Sequence, residues 1–229
     1  MIAIISDIHA NLPALQAVMQ DAIARGCSRF ISLGDVVGYG AQPGECIELL
    51  RSHGITNILG NHDSYLVYDT DCPRSRIVSI ILEHQKRIIS AQQLDWLRGS
   101  LPLLEEETTL YVHGGPHDPR DQYLYRVSKE LFTPGIKTLF SGHTHVQTLS
   151  SFGDLTYCNP GSVGQPRDGD PRAAYAIISA AGINLRRVAY DIDSAVAAMK
   201  KAGYEPFCYE NLYKGAQIGG RIDRVKVVT

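Results

Sequence analysis

Short runs of wholly apolar residues recur along this chain, most of them cut off by a polar side chain with a glycine close by. The first, Ile2, Ala3, Ile4 and Ile5, predicts a strand buried on both faces. Behind it Leu12, Leu15, Val18, Met19, Ala22 and Ile23 fall at helical spacing, with Asn11 placed to cap the helix. The pattern returns as a strand over 29–33, a helix over 43–53 and a strand over 55–59. That alternation predicts a buried, mostly parallel sheet in the first third of the chain. Residues 74–98 read as two helices, the second opened by Ser90 and Gln93 at capping-box spacing and stopped by Pro102. Further strands are expected over 108–112, 136–140, 146–150, 155–158, 174–178 and 183–189, followed by a helix over 192–202. The Tyr- and Gly-containing segment after Tyr204 predicts no element.

The length, 229 residues, suits one domain over 1–229 with a substantial core. A net charge of -2 supplies no basic field of the kind that tracks a nucleic-acid backbone, so any attraction to an anion must be local. The five cysteines are scattered, and none forms a C-x-x-C pair, which reads as a reducing compartment. The N-terminus lacks the pattern of a secretory signal, and no apolar run approaches a membrane span. These features together predict a cytoplasmic protein with no membrane partner.

The chemistry lies where the apolar runs stop. Five segments recur there: "SDIHAN", "LGDVVGYG", "LGNHDS", "VHGGPH" and "SGHTHV". In an extended segment residues i and i+2 share a face, so Asp7 with His9, and His143 with His145, can each grip one ion. Asp35, Asn61 and His113 arrive singly, each beside a glycine. Taken alone, a lone Asp after a strand is an N-cap, "GNHD" an Asx turn, and "GHTH" a loop with two exposed imidazoles. Turn chemistry does not readily produce all five in order, each at the end of a predicted strand.

As a set, D-x-H, G-D, G-N-H-D, H and G-H-x-H, the segments resemble the calcineurin-like metallophosphoesterases, and the likeness spans residues 6–172. The stretch "NPGSVGQPRDGDPRAAY" is similar to the small bacterial single-domain branch related to diadenosine tetraphosphatases. The resemblance implies an α/β four-layer fold, a sandwich of two mixed β-sheets flanked by α-helices. It also implies two divalent metal ions, with Asp7, His9 and His145 on one, Asn61, His113 and His143 on the other, and Asp35 bridging them. A metal-bridging hydroxide would attack phosphorus, and His62 would protonate the departing alkoxide. Four imidazoles among the ligands favour manganese, iron, cobalt or zinc over magnesium.

Two divalent ions against two carboxylates leave such a site positive, which selects a phosphate ester despite the acidic chain. In the protein Ser/Thr phosphatase branch the second motif reads G-D-x-x-D-R-G, but here Gly38 and Tyr39 stand in place of its Asp and Arg. This departure argues against a protein phosphatase and for small phosphodiesters, phosphomonoesters or nucleotides. Arg167 is the first choice as substitute phosphate donor, ahead of Arg172 and Arg120. Tyr39 either stacks on a base or packs, residues 161–164 either form an anion-binding nest or a plain turn, and His117 reads as a loop residue. Asp63 reads as the cap of its turn. Two other functions are known on this fold. An inactive binding scaffold would have lost His62 or several ligands, and a nuclease would need a basic stripe or an appended DNA-contacting region. The chain leaves its oligomeric state open.

Overall fold

The chain opens with the alternation that its apolar spacing predicts: β1 (Ile2–Ile5), α1 (Leu12–Ala24), β2 (Arg29–Ser32), α2 (Pro43–Ser52) and β3 (Thr56–Asn57). The computed structural model describes residues 1–228; Thr229, the last residue of the domain expected over 1–229, lies outside the described residues. Asn11 caps α1, accepting a hydrogen bond from the Ala14 N–H at 3.2 Å. Directly after β3 the chain enters α3 (Asn61–Tyr68), a helix the sequence pattern did not predict. Then come α4 (Arg76–Ile88) and α5 (Ala91–Arg98), the latter with the capping box of Ser90 and Gln93.

The second half is strand-rich: β4 (Leu104–Glu106), β5 (Thr109–Tyr111), β6 (Arg126–Val127), β7 (Thr138–Phe140), β8 (Thr148–Phe152), β9 (Leu155–Asn159), β10 (Ala173–Ser179) and β11 (Gly182–Val188). Helix α6 (Ile192–Lys201) follows, then two 3-10 turns and β12 (Lys226–Val227). The first sheet runs β11-β10-β1-β2-β3 and is mixed. Strand β1 is parallel to β2, and β2 to β3, but β10 is antiparallel to both β1 and β11. The expectation of a mostly parallel sheet therefore fails at one edge. The β10–β11 hairpin, some 170 residues later in sequence, adds to the free side of β1, and no local pattern at β1 announces it. The second sheet, β4-β5-β7-β9-β8, is also mixed, with β5, β7 and β9 mutually parallel.

Alternation along β1 distributes the core. Ala3 and Ile5 face a large cluster with Leu15, Val18, Ile47, Leu66, Leu82 and Leu97, which draws on each of α1 to α5. Ile4 points the other way, into a layer with Ile31, Leu33, Tyr111, Phe140 and Cys158 that cements the two sheets together. The outer face of the second sheet is covered by Leu124, Val127 and Ile136 from the irregular segment after β5. Strands β1, β2, β3, β5 and β7 all end toward the same rim, and the five motif segments begin where they end.

Candidate metal centre

Five of the seven proposed donor residues sit in turns of a backbone conformation that few residues tolerate. Asp7, His9, Asp35, His143 and His145 have φ between 48° and 64°, the left-handed region that side chains with a Cβ rarely enter. Gly142 supplies close approach, since a Cβ there would collide with Ser6 Oγ and Asp7. At Gly38 a Cβ would occupy the place of His62 Nδ1, so this glycine lets the loop after β2 run across the His62 ring. The seven donors and His62 are all buried, none more than 5% exposed.

Three of the histidines are oriented by main-chain carbonyls. His9 Nδ1 lies 2.9 Å from Val37 O, His113 Nδ1 2.9 Å from Leu33 O, and His145 Nδ1 2.7 Å from Gln165 O. A carbonyl can only accept, so each Nδ1 carries a proton and each Nε2 is turned inward, where its lone pair is free to ligate once no proton occupies it. His9 Nε2 then stands 3.1 Å from His145 Nε2, and His113 Nε2 stands 3.1 Å from Asn61 Oδ1 and 3.2 Å from His143 Nδ1. Facing lone pairs at that distance repel unless a proton or a cation lies among them. The carboxylates complete the pattern. Asp7 accepts from Ser6 Oγ–H and the His143 N–H while its Oδ1 faces His145 Nε2 at 3.2 Å. Asp35 Oδ1 accepts the His62 N–H at 2.8 Å, which leaves Oδ2 at 3.7 Å from His9 Nε2 and 3.4 Å from His113 Nε2.

The donors form linked groups: Asp7, His9 and His145; His9, Asp35 and His62; Asp35, His113 and His143. Their chemistry, buried imidazole and carboxylate converging without bonding one another well, fits a divalent metal. Electrostatics agree. Burial pushes Asp35 up, but His113, His62 and His9 outweigh it and hold the carboxylate well below its usual range. Burial lowers His113, and Asp35 more than reverses this, raising the ring to about 9. Burial lowers His62 to about 4 against the pull of Asp35, and its Nδ1 has no hydrogen-bond partner among the described residues.

Arg167 is 6% exposed and donates from Nη2 to Tyr39 Oη at 3.1 Å and Gln165 Oε1 at 3.0 Å. Among the described residues no carboxylate pairs with it, and its buried Nε has no partner. Tyr39 is half-buried, with the Arg167 guanidinium over its ring and the His9 and His62 rings 4.6 and 4.9 Å away. Both residues line a pocket of about 440 Å³ together with Asn61 and His62. A larger hollow, about 950 Å³, opens beside α3 and α4 but touches none of the seven donors.

The structure does not bring the other sequence candidates to this pocket. Arg172 is exposed and paired with Asp170, Arg120 donates to Ser64 Oγ at 3.0 Å, and His117 is exposed. The Gly161, Val163 and Gly164 N–H groups bond Asn159 Oδ1, Ser6 O and Asp7 O, so three of the four main-chain donors of residues 161–164 are spent within the turn. Asp63 caps the entry to α3, accepting from the Val36, Val37 and Gly60 N–H groups. Sequence reading missed Asp121, 3.6 Å from His143 Nε2, and Tyr123, stacked on the His143 ring at 3.7 Å. The signal was present in "DQYLYR": Tyr123 and Tyr125 stand at the same i, i+2 spacing as the donor pairs.

Residues 1–182 match the calcineurin-like phosphoesterase superfamily domain. The chain belongs to this family. Membership makes this phosphoesterase a hydrolase of phosphoric esters, and its buried His/Asp groups suit the divalent metal such enzymes hold. It is 35% identical to the Methanocaldococcus jannaschii protein MJ0912 over 94% of this chain and 98% of that one. It is 27% identical to phosphodiesterase YfcE of Escherichia coli over 76% of this chain and 84% of that one. A metallophosphoesterase structure from Sphaerobacter thermophilus superposes with a TM-score of 0.81 at 32% identity, covering 93% of this chain and 99% of that one. No helix of the described residues is long and apolar enough to cross a membrane.

Proposed function

We propose that the chain, working as one domain over 1–229, is a dinuclear metal-dependent phosphoesterase of small phosphodiesters, phosphomonoesters or nucleotides. One observation carries this reading: Asp35 presents a single oxygen toward both His9 and His113, and so belongs to two groups of donors at once. Asp7, His9 and His145 would hold one ion, Asn61, His113 and His143 the other, and Asp35 would serve both. When bound, the two ions supply charge neutralisation at the phosphoryl oxygens and a water acidic enough to attack at neutral pH.

The protein groups do the rest. Arg167, a buried guanidinium with only neutral partners, takes a phosphate oxygen and gains the counter-charge it lacks. Tyr39 lines the pocket and holds Arg167 and His62 in place. His62 gives a proton to the leaving oxygen, and an anionic phosphate beside the ring offsets the burial that keeps it neutral. The relationship to a protein named a phosphodiesterase supports diesters among the substrates. Five free cysteines fit a reducing cytoplasm.

A panel of phosphate esters assayed with manganese, iron, cobalt and zinc tests the reading. Metal-dependent turnover of a small diester is expected. A phosphopeptide as the best substrate, or turnover that survives thorough chelation, would overturn it.

A further inference from the structure

The pocket over the metal centre is built largely from residues that no step above uses. Its volume, about 440 Å³, lies within the range of about 300–1,000 Å³ usual for small-molecule sites. Beyond Asn61, His62, Tyr39 and Arg167 its wall carries Ile77 and Val78 from α4, Tyr123 and Tyr125, and Ile218 from the C-terminal segment. The Tyr123 and Tyr125 rings lie parallel within 4°, centroids 5.5 Å apart, and Tyr123 continues this tier onto the His143 ring. The Arg74 guanidinium lies over the Tyr123 ring at 5.3 Å. Aromatic and aliphatic groups therefore run directly up to a proposed metal ligand.

The charges sort what such a wall can accept. Arg74 pairs with Asp121 at 2.7 Å and Arg221 with Asp223 at 3.0 Å, so neither offers a free cation for a second anionic group. Among the described residues, Arg167 alone of the arginines lining the pocket has no carboxylate partner. The site has provision for one phosphate and, beside it, for a flat and neutral group. Arg167 and His62 cover the Tyr39 ring, and Arg74 and His143 cover that of Tyr123, so Tyr123 backs the tier and Tyr125, with Tyr123 on one side, turns its ring to the pocket beside Ile218.

The C-terminal segment is held in place for this purpose. Asp223, 6% exposed, accepts from Tyr125 Oη–H at 3.1 Å and from Gln217 Nε2, and its N–H donates to Arg167 O at 2.7 Å. Asp223 thus ties Ile218's loop to the ring pair through its carboxylate and to Arg167 through its main-chain N–H.

We propose that Tyr123, Tyr125 and Ile218 form a subsite for the aromatic ring of the substrate, a phosphate ester carrying one flat, uncharged ring such as an aryl group or a nucleobase. The inference rests on the phosphoesterase reading of the centre and names the substrate class for it. Binding is measured with the manganese-loaded protein and three probes: methyl phosphate, phenyl phosphate and a nucleoside monophosphate. Ring stacking of this kind makes the ring-bearing probes bind about 10-fold or more tightly than methyl phosphate. The stronger of the two tells a base from a simple aryl group, and either preference supports the subsite. Tyr125→Leu and Ile218→Ala each reduce that preference, whereas Tyr125→Phe keeps it. Ile218 makes no side-chain hydrogen bond, so its variant stands as a check if Tyr125→Leu loosens the segment. Equal affinity of the parent for all three probes, or a preference untouched in both variants, overturns the subsite. Turnover is scored separately: a parent that prefers ring-bearing phosphates yet hydrolyses no ester would sink the phosphoesterase reading and leave the ring subsite standing.

Discussion

Asp35 divides its work between its two oxygens, one fixed by the His62 N–H and the other turned toward His9 and His113. Asp35→Asn replaces one oxygen by an amide nitrogen that cannot ligate, and on the proposed dinuclear reading it weakens a group shared by two ions. Metal analysis of the purified variant should find both sites depleted, whereas Asp7→Asn should empty mainly one; two tightly held ions in Asp35→Asn would rule out bridging. His62 separates differently. A proton donor matters most when the leaving group is a poor one, so His62→Ala should slow an alkyl ester about 10²-fold or more and a nitrophenyl ester far less. Equal losses on the two esters would mean that His62 positions phosphate instead. The seven proposed donors and His62 could all be picked out of the sequence, because polar side chains at strand ends leave a spacing that survives without any knowledge of the fold. Arg167 was legible only as the best of three arginines. What singles it out, burial without a carboxylate, is a tertiary property.

Among the elements, the caps were readable and the pairings were not. Asn11 and Ser90 announce their helices through local hydrogen bonds, which depend on three or four neighbouring residues. Helix α3 escaped notice because "NHDSYLVY" has no apolar stripe: its first turn is polar, buried and occupied by the site itself. Strand β3 shrank from the expected five residues to Thr56–Asn57, since Ile58 makes only an isolated bridge to Leu101. Asp63 shows what such a helix start requires. It satisfies three main-chain N–H groups, from Val36, Val37 and Gly60, and so pins the loop after β2 to the start of α3. Asp63→Ala leaves those buried donors without acceptors and should destabilise the fold by about 2–4 kcal/mol in urea titration. A loss below about 0.5 kcal/mol would show that water replaces the carboxylate there.

At the scale of the molecule, the two sheets meet through Ile4, Ile31, Tyr111 and Phe140, residues far apart in sequence whose partners no window of neighbours could name. Hence periodicity suggested one parallel sheet, and only the family resemblance brought in the second. The segment after Tyr204 was opaque for a related reason: it has little regular structure, and it is held by contacts to distant groups. It also lies beyond residues 1–182, where the family domain matches. Asp223→Ala removes the acceptor shared by Tyr125, Gln217 and Arg221. Hydrogen exchange should then quicken across residues 215–226 while β1 and β2 stay protected. Uniform quickening across the chain would mean instead that the segment is integral to the global fold.

The left-handed backbone at Asp7, His9, Asp35, His143 and His145 has a consequence for how sequences of this kind change over time. Each such turn carries strain on the order of 1 to 3 kcal/mol, and between His9 and His145 the facing Nε2 atoms, 3.1 Å apart, add to it when no cation lies between them. A glycine or asparagine at His9 or His145 would relax the main chain and remove the repulsion in a single change. Libraries screened only for heat resistance or expression will therefore drift toward proteins that fold better and catalyse nothing. The same bias acts in nature wherever selection for turnover is relaxed, so inactive descendants of this fold should first lose the donors whose backbone is most contorted.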